Sequence, residues 1–362
     1  MAYSVEKEDI INIIKAGIFA PSGDNCQPWE IYFDGEKLYL KNLEYKDTSL
    51  YNVKNIASYI AFGAMIENMI ITARMLGYEI STTLFPEGEN SSIVATLSFI
   101  KGQSVFDPLL NFIDKRCVNR KKYKPMQLET HARESLKKTA AQFKGAELFV
   151  IEDEEEKKKL AELLAVNDRI LFENKNLHDF LFEHLRWTKK EAEKSRDGMS
   201  IESLELGLVQ RKAFRILSSW TFVRFLNMFG FSKFVPAQSY NLCKGSSALC
   251  LLLMEGTGFD SFINGGRVFQ RIWLTAASLG LSLHPMTGIT FLIQRLQMTG
   301  KNDLSATHQK LLLDLEGQLK KIFPINENKS IIMTFRIGYA DPPSDKSLRL
   351  PVEEVLVEGV PS

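Results

Sequence analysis

Residues 20–29, Ala-Pro-Ser-Gly-Asp-Asn-Cys-Gln-Pro-Trp, constrain this chain more than any other stretch. Upstream, Ile10, Ile11, Ile14 and Ile18 repeat at helical spacing, and Pro21 ends that helix. Downstream, residues 29–33 and 38–40 flank Asp34-Gly35, the pattern of a β-hairpin. The loop between packs two prolines, a glycine, an Asp and an Asn, residues that set backbone geometry rather than fill a core. It also presents a hydroxyl, two amides and an indole together, a set able to hold a flat polar heterocycle. The plainer alternative is a helix-to-strand connection.

The rest of the first hundred residues continues helix, hairpin, helix, hairpin. Residues 55–76 form a long apolar helix in which Ala57, Ala61, Gly63 and Ala64 allow close packing. Residues 78–84 and 93–99 read as a second strand pair. The fold class is α+β.

The chain has 362 residues, 45% hydrophobic and 25% charged, the composition of a globular enzyme. Its net charge of +1 gives no basic face, which argues against nucleic acid or a membrane as partner. The N-terminus carries early acids and no apolar leader core, and no apolar run reaches the ~18–20 residues of a spanning helix. Cys26, Cys117, Cys243 and Cys250 are scattered without a CxxC pair, which places the chain in a reducing, cytoplasmic compartment. The five histidines are equally dispersed, and no metal site is expected.

In the second section, residues 115–123 place five basic residues in eight positions. Such a run is either a solvated surface or an anion clamp, since Arg presents a planar fork that matches phosphate. A strand over 146–151 and a helix over 153–164 follow. Residues 165–245 are helical and aromatic-rich, either as core or as a lid over an aromatic ligand. Residues 248–254 make a buried strand. Gly256-Thr257-Gly258 lacks the third glycine and an immediate helix, so it reads as a turn and not a dinucleotide fingerprint. An amphipathic helix over 267–279 leads into His284-Pro285-Met286-Thr287-Gly288, where His284 is a general base or a packing residue. The last strong strand is 330–337.

These residues resemble the FMN-dependent nitroreductases. Residues 20–29 match every named position of that family's APSxxNxQPW loop. Residues 115–123 are similar to its RRSxRxF phosphate motif with Lys115 and Cys117 standing for the first Arg and the Ser. Residues 276–281 are similar to its small-residue turn beside the flavin, and Arg336-Ile337-Gly338-Tyr339 with residues 349–355 to its C-terminal RxGY and EEV segments. Most of 165–245 is not covered. The order of motifs departs from the family. Here the APS-type loop comes first and the Arg motif about ninety residues later, each lacking the partner that ordinary members carry in the same subunit. The chain is similar to the fused, two-repeat Acg-type subfamily.

That resemblance implies two degenerate nitroreductase-like repeats fused into a pseudo-dimer, with antiparallel-rich mixed sheets flanked by helices. The halves are 1–102 and 103–362, the second carrying a lid-like insertion at about 165–245. It implies one FMN per chain between the halves, in a monomer able to form its own flavin site, with NAD(P)H or another donor supplying hydride through flavin N5 to an unknown acceptor. The alternative is an FMN-sequestering or storage protein with a closed lid. Cofactor contacts fall to Pro21, Ser22, Asn25 and Gln27 of the loop, to Arg116, Cys117, Arg120 and Arg349 at the phosphate, and to Pro285, Met286, Thr287 and Gly288 as a wall on the ring. Ser22 and Asn25 are expected to hydrogen-bond the ring, Trp29 packs, and no catalytic side chain is assigned.

Overall fold

The computed structural model describes residues 5–299 and 303–361. Residues 1–4, part of the stretch that reads as lacking a leader, lie outside the described residues, as do 300–302 and Ser362.

Eleven strands are described: β1 (Trp29–Phe33), β2 (Lys37–Asn42), β3 (Tyr78–Leu84), β4 (Ile93–Lys101), β5 (Ala146–Ile151), β6 (Leu185–Arg186), β7 (Met199–Ser200), β8 (Ala248–Glu255), β9 (Ser282–Pro285), β10 (Lys329–Gly338) and β11 (Leu356–Glu358). The β1–β2 hairpin turns at Gly35, whose φ of +100° is open to glycine at no steric cost. Two larger sheets form. One runs β11-β1-β2-β4-β3 and the other β5-β8-β10-β9. Apart from β11, the two have the same topology. In each, the first strand pairs antiparallel with the second, the second with the fourth, and the fourth with the third. Each also has one helix ahead of its first strand (Lys7–Ile18, Thr130–Ala141) and one between its second and third (Ile56–Met75, Phe259–Ser278). An α+β unit is thus present twice, which is a pseudo-dimeric architecture. β11 crosses over: the C-terminal segment returns to pair parallel with β1, Ile31 opposite Leu356.

The two long helices cross at the middle of the molecule. A Cβ on Gly63 would lie 1.9 Å from Ile263 O, and one on Gly266 would lie 2.1 Å from Ile60 O. The contact is reciprocal, since in each helix the glycine follows by three residues the isoleucine that the other helix's glycine meets, so the crossing marks a local two-fold relation. Two glycines are required because the backbones touch. A polar knot ties the crossing: Glu67, buried, accepts from Arg267 Nε at 3.1 Å and Arg271 Nε at 2.8 Å, and Gln270 donates to Asn68 at 2.7 Å.

The Ile56–Met75 helix, with the turn before it, is long and apolar enough to cross a membrane, contrary to the sequence reading that no run is. From Ile56 to Ala73 every residue but the half-buried Ala57 is buried inside the fold, so the helix is apolar all round because it is packed all round.

Two expectations are corrected here. A helix follows Gly258 directly, starting at Phe259 rather than near 267. The helix expected to end at 164 runs on as Glu154–Glu173, capped by Asp153, which accepts from the backbone N–H groups of Glu155 and Glu156. The extra helices between β5 and β8 therefore begin just after β5, not at 165. Leu160, Leu163 and Leu164 of this helix join a core with Leu249, Leu251 and Leu253 of β8.

Candidate functional site

The 20–29 loop is folded by its own polar groups. Gly23–Asn25 makes one tight turn, and Asp24, Asn25 and Gln27 take φ of 41°, 59° and 50°. Three non-glycine residues in the left-handed region within four positions is stored backbone strain, of a kind found at ligand sites. Ser22 Oγ accepts from Gln27 N at 2.9 Å, which leaves its hydroxyl proton to donate. Gln27 is fully buried: it donates to Arg196 O at 2.9 Å and accepts from Leu350 N at 2.8 Å. Asn25 donates to Gly198 O and Leu348 O, both at 3.0 Å, and accepts from Arg349 Nη1 at 2.7 Å. The loop's amides thus bind two distant segments, 196–198 and 348–350. Trp29 packs edge-on against Phe62.

Those two segments meet the basic run. Asn119 N donates to Leu283 O at 3.0 Å, docking residues 116–120 beside β9. Behind it, Arg336, fully buried in β10, donates to Asn119 O at 3.2 Å and Lys121 O at 3.0 Å and stacks on Tyr123 at 4.0 Å. Arg116 is buried over the Trp273 ring at 4.5 Å and donates from Nη2 to Phe19 O at 2.7 Å. Its Nε, and that of Arg349, are buried and unpartnered. Among the described residues neither Arg, nor Arg120, is in an ion pair. Burial lowers Arg116 to about 9, with Arg349 adding to the effect, and lowers Arg349 to about 10. A cavity of about 370 Å³ opens here, lined by Arg116, Cys117, Arg120, Arg196, Lys346 and Arg349 among others. Asp24, Asp114 and Asp345 line the same cavity, and on its basic side the unused Nε–H donors of Arg116 and Arg349 have the chemistry that an anion would satisfy. The Cys117 thiol is pushed up by burial and is not an activated nucleophile.

A second cavity of about 350 Å³ adjoins it and shares Ser22, Asp24, Val118 and Arg120. Its walls come from both central helices, Ile60 and Ala61 from one, Phe269 and Trp273 from the other. Pro285, Met286, Thr287 and Gly288 form one side. Their backbone is pinned to β10, Met286 N donating to Thr334 O and Thr334 Oγ1 to Met286 O, both at 2.7 Å. A Cβ on Gly288 would lie 2.1 Å from Asn167 Oδ1, so the Glu154–Glu173 helix leans on this wall. Leu164, Leu177 and Phe180 of the extra helices cover the space.

Polar groups ring this apolar cleft. Burial raises Asp24 against the pull of His184 and Arg120, and pushes Asp47 and Asp168 up to about 6 despite their serine partners. His284 Nδ1 lies 3.1 Å from Arg336 Nε. Arg only donates, so Nδ1 accepts and the neutral ring carries its proton on Nε2. Burial, with Arg336 and Arg120 near, holds His284 well below its ordinary value. It lines the cleft as a neutral ring with Nδ1 already engaged.

Of the residues expected at a site, Pro21, Ser22, Pro285, Met286, Thr287 and Gly288 line the second cavity. Ser22, Asn25, Arg116, Cys117, Arg120 and Arg349 line the first. Gln27 lines neither; its amide is spent on Arg196 and Leu350. Asn25 likewise has both amide atoms engaged by protein, so the structure leaves it no spare donor for a ring. Sequence reasoning missed Arg196 and Lys346 on the anion side and Asp47, Asp168 and Tyr51 on the apolar side. Arg196 lies next to Asp197-Gly198, where Gly198 takes φ +67°, a turn the sequence did flag. Among the described residues no group of three or more His, Cys, Asp or Glu is placed to hold a metal.

No family model matches the chain. An uncharacterised protein of Mycobacterium tuberculosis (strain CDC 1551) is 30% identical over 353 residues, covering 93% of this chain and 46% of that protein. The chain thus spans about half the length of this curated relative. Among solved structures it is similar to the FMN-dependent nitroreductase NfnB from Mycobacterium smegmatis, solved with NADPH (12% identity, 67% of this chain, 94% of that one, TM-score 0.37). It is similar also to an iodotyrosine deiodinase solved with FMN and 3-iodo-L-tyrosine (12%, 67% and 95%, TM-score 0.36) and to an NADPH:FMN oxidoreductase from Vibrio harveyi solved with NAD+ (12%, 71% and 79%, TM-score 0.37).

Proposed function

We propose that the chain is an FMN-binding oxidoreductase of the nitroreductase type, built from two fused repeats, 1–102 and 103–362, of the Acg-type arrangement. The observation that carries this reading is the gathering of Arg116, Arg120 and Arg349, the first and last with a buried, unpartnered Nε–H, around one cavity that shares Ser22, Asp24, Val118 and Arg120 with an apolar cleft between the repeated central helices. Arg116, Arg349 and Lys346 would hold the phosphate. Pro285 to Gly288 would wall one face of the ring, with Ser22 Oγ–H and the His284 Nε2–H as donors beside it. FMN, when bound, supplies hydride acceptance and donation at N5, so no side-chain acid or base is required. The chain's residues position the ring, neutralise the phosphate and exclude water. NAD(P)H is the donor class we propose; the acceptor is a small molecule that fits the cleft. The four cysteines are unpaired, as suits a reducing cytoplasm.

A second reading is favoured by one specific set of contacts. Asn25 to Gly198, Gln27 to Arg196, and Arg196 Nε to Arg349 O at 2.6 Å lash the inserted segment across the phosphate side. A segment so tied would retain FMN and slow its exchange, as a storage protein does. Anaerobic mixing of the flavin-loaded protein with NADPH separates the two. Bleaching of the flavin spectrum within a turnover-competent time supports the oxidoreductase. A bound flavin that neither NADPH nor NADH reduces supports sequestration.

A further inference from the structure

We propose that the helical hairpin over residues 207–234 is a docking surface for an anionic lipid bilayer. The inference does not rest on the flavin reading. Leu208, Val209, Ile216, Phe222, Phe225, Met228, Phe229 and Phe234 are 39–82% exposed, an apolar concentration that a solvated helix pair does not carry without a use. The two helices, Leu208–Ile216 and Trp220–Asn227, are anchored from beneath. Phe214 packs on Phe182 and Trp187, Val223 is buried, and Asn227 Nδ2 donates to Phe172 O at 2.7 Å. The outward side chains are therefore presented by a seated element, not by a loose one.

Charge selects the occupant. From Leu206 to Met254 there are six Lys or Arg residues and no Asp or Glu, in a chain whose net charge is only +1. The whole-chain balance, which argues against a membrane, hides this segregation. Lys212, Arg215, Arg224 and Lys233 are exposed among the apolar side chains. On the first helix Lys212 lies within the face that carries Leu208, Val209 and Ile216, and Arg215 lies at its edge with the guanidinium over the Trp187 ring at 5.7 Å. Apolar side chains ringed by cations fit an anionic headgroup layer, into which Phe and Leu insert while Lys and Arg meet phosphate. A second copy of the same surface would set like charges face to face, which disfavours self-association.

The test is co-sedimentation of the full chain with vesicles of phosphatidylcholine alone and of phosphatidylcholine with phosphatidylglycerol. The expected result is binding about tenfold tighter to the anionic vesicles, weakened by salt. Replacing Leu208, Val209, Phe225 and Phe229 together by Ser should abolish it with melting temperature unchanged, since those side chains are exposed. A charge variant, Lys212→Glu with Arg224→Glu, should abolish it independently. Equal binding to both vesicle types, or anionic binding that survives both variants, overturns the proposal. So does a concentration-dependent dimer that the serine variant dissolves while no vesicle binding is seen, because that result assigns the surface to a second copy.

Discussion

At the scale of single residues, the site is decided by which donors are spent and which are not. Asn25 uses both amide atoms on protein and so acts as a clamp on the 348–349 segment and on Arg349 itself. Arg349 in turn keeps one buried N–H unused. Losing a charge-assisted hydrogen bond to an ionised group costs about 1.5–3 kcal/mol. Arg349→Ala should therefore weaken FMN binding roughly ten- to hundredfold, measured by fluorescence titration of the apoprotein. FMN affinity equal to the parent's would remove Arg349 from the phosphate site. The sequence picked out Arg116, Arg120 and Arg349 from residue type and motif, and all three line one cavity. It did not reveal that Ser22, Asn25 and Gln27 satisfy one another and remote backbone groups, since Gln27's partners lie at Arg196 and Leu350, far along the chain. Nor could it resolve His284, whose state follows from Arg336 on the neighbouring strand.

At the scale of elements, the two central helices carry the arrangement. Helix periodicity and small residues located Ile56–Met75 in the sequence almost to the residue. Its partner, Phe259–Ser278, was truncated because Gly265 and Gly266 weaken the local helical signal. Gly265 is there because a Cβ would lie 2.4 Å from Ile332 Cγ1, and Gly266 because it meets Ile60 O. The residues that blur the sequence pattern are thus the ones that the packing demands. Gly63→Ala drives a Cβ into a backbone oxygen that cannot move without displacing the facing helix. Overpacking of this kind costs about 1–3 kcal/mol, and the rigid backbone target puts the cost at the upper end. The melting temperature should drop by several degrees, and flavin retention with it, since Ile60, Ala61, Phe269 and Trp273 wall the cleft. A variant as stable as the parent would mean that the helices are free to separate.

At the scale of the molecule, the strand order is duplicated and the cleft draws its walls from both units. The first unit supplies the 20–29 loop, the second supplies β9 and β10 with the wall at Pro285 to Gly288, and the 116–120 segment is docked on that second unit. The C-terminal segment ties them by returning through Arg349 to β11 at the edge of the first sheet. Motif order is what suggests complementary halves from the sequence. The strand order, the crossing of β11 and the cover supplied by the extra helices were not, because each depends on contacts between residues more than a hundred positions apart. The proposed function implies one flavin per chain, held at the seam. The most direct measurement is the flavin-to-polypeptide ratio of the protein saturated with FMN, taken alongside its native mass across a dilution series. The expected ratio is one, and it persists in the monomer. A ratio of two, or flavin that is lost as a dimer dissociates, would contradict it.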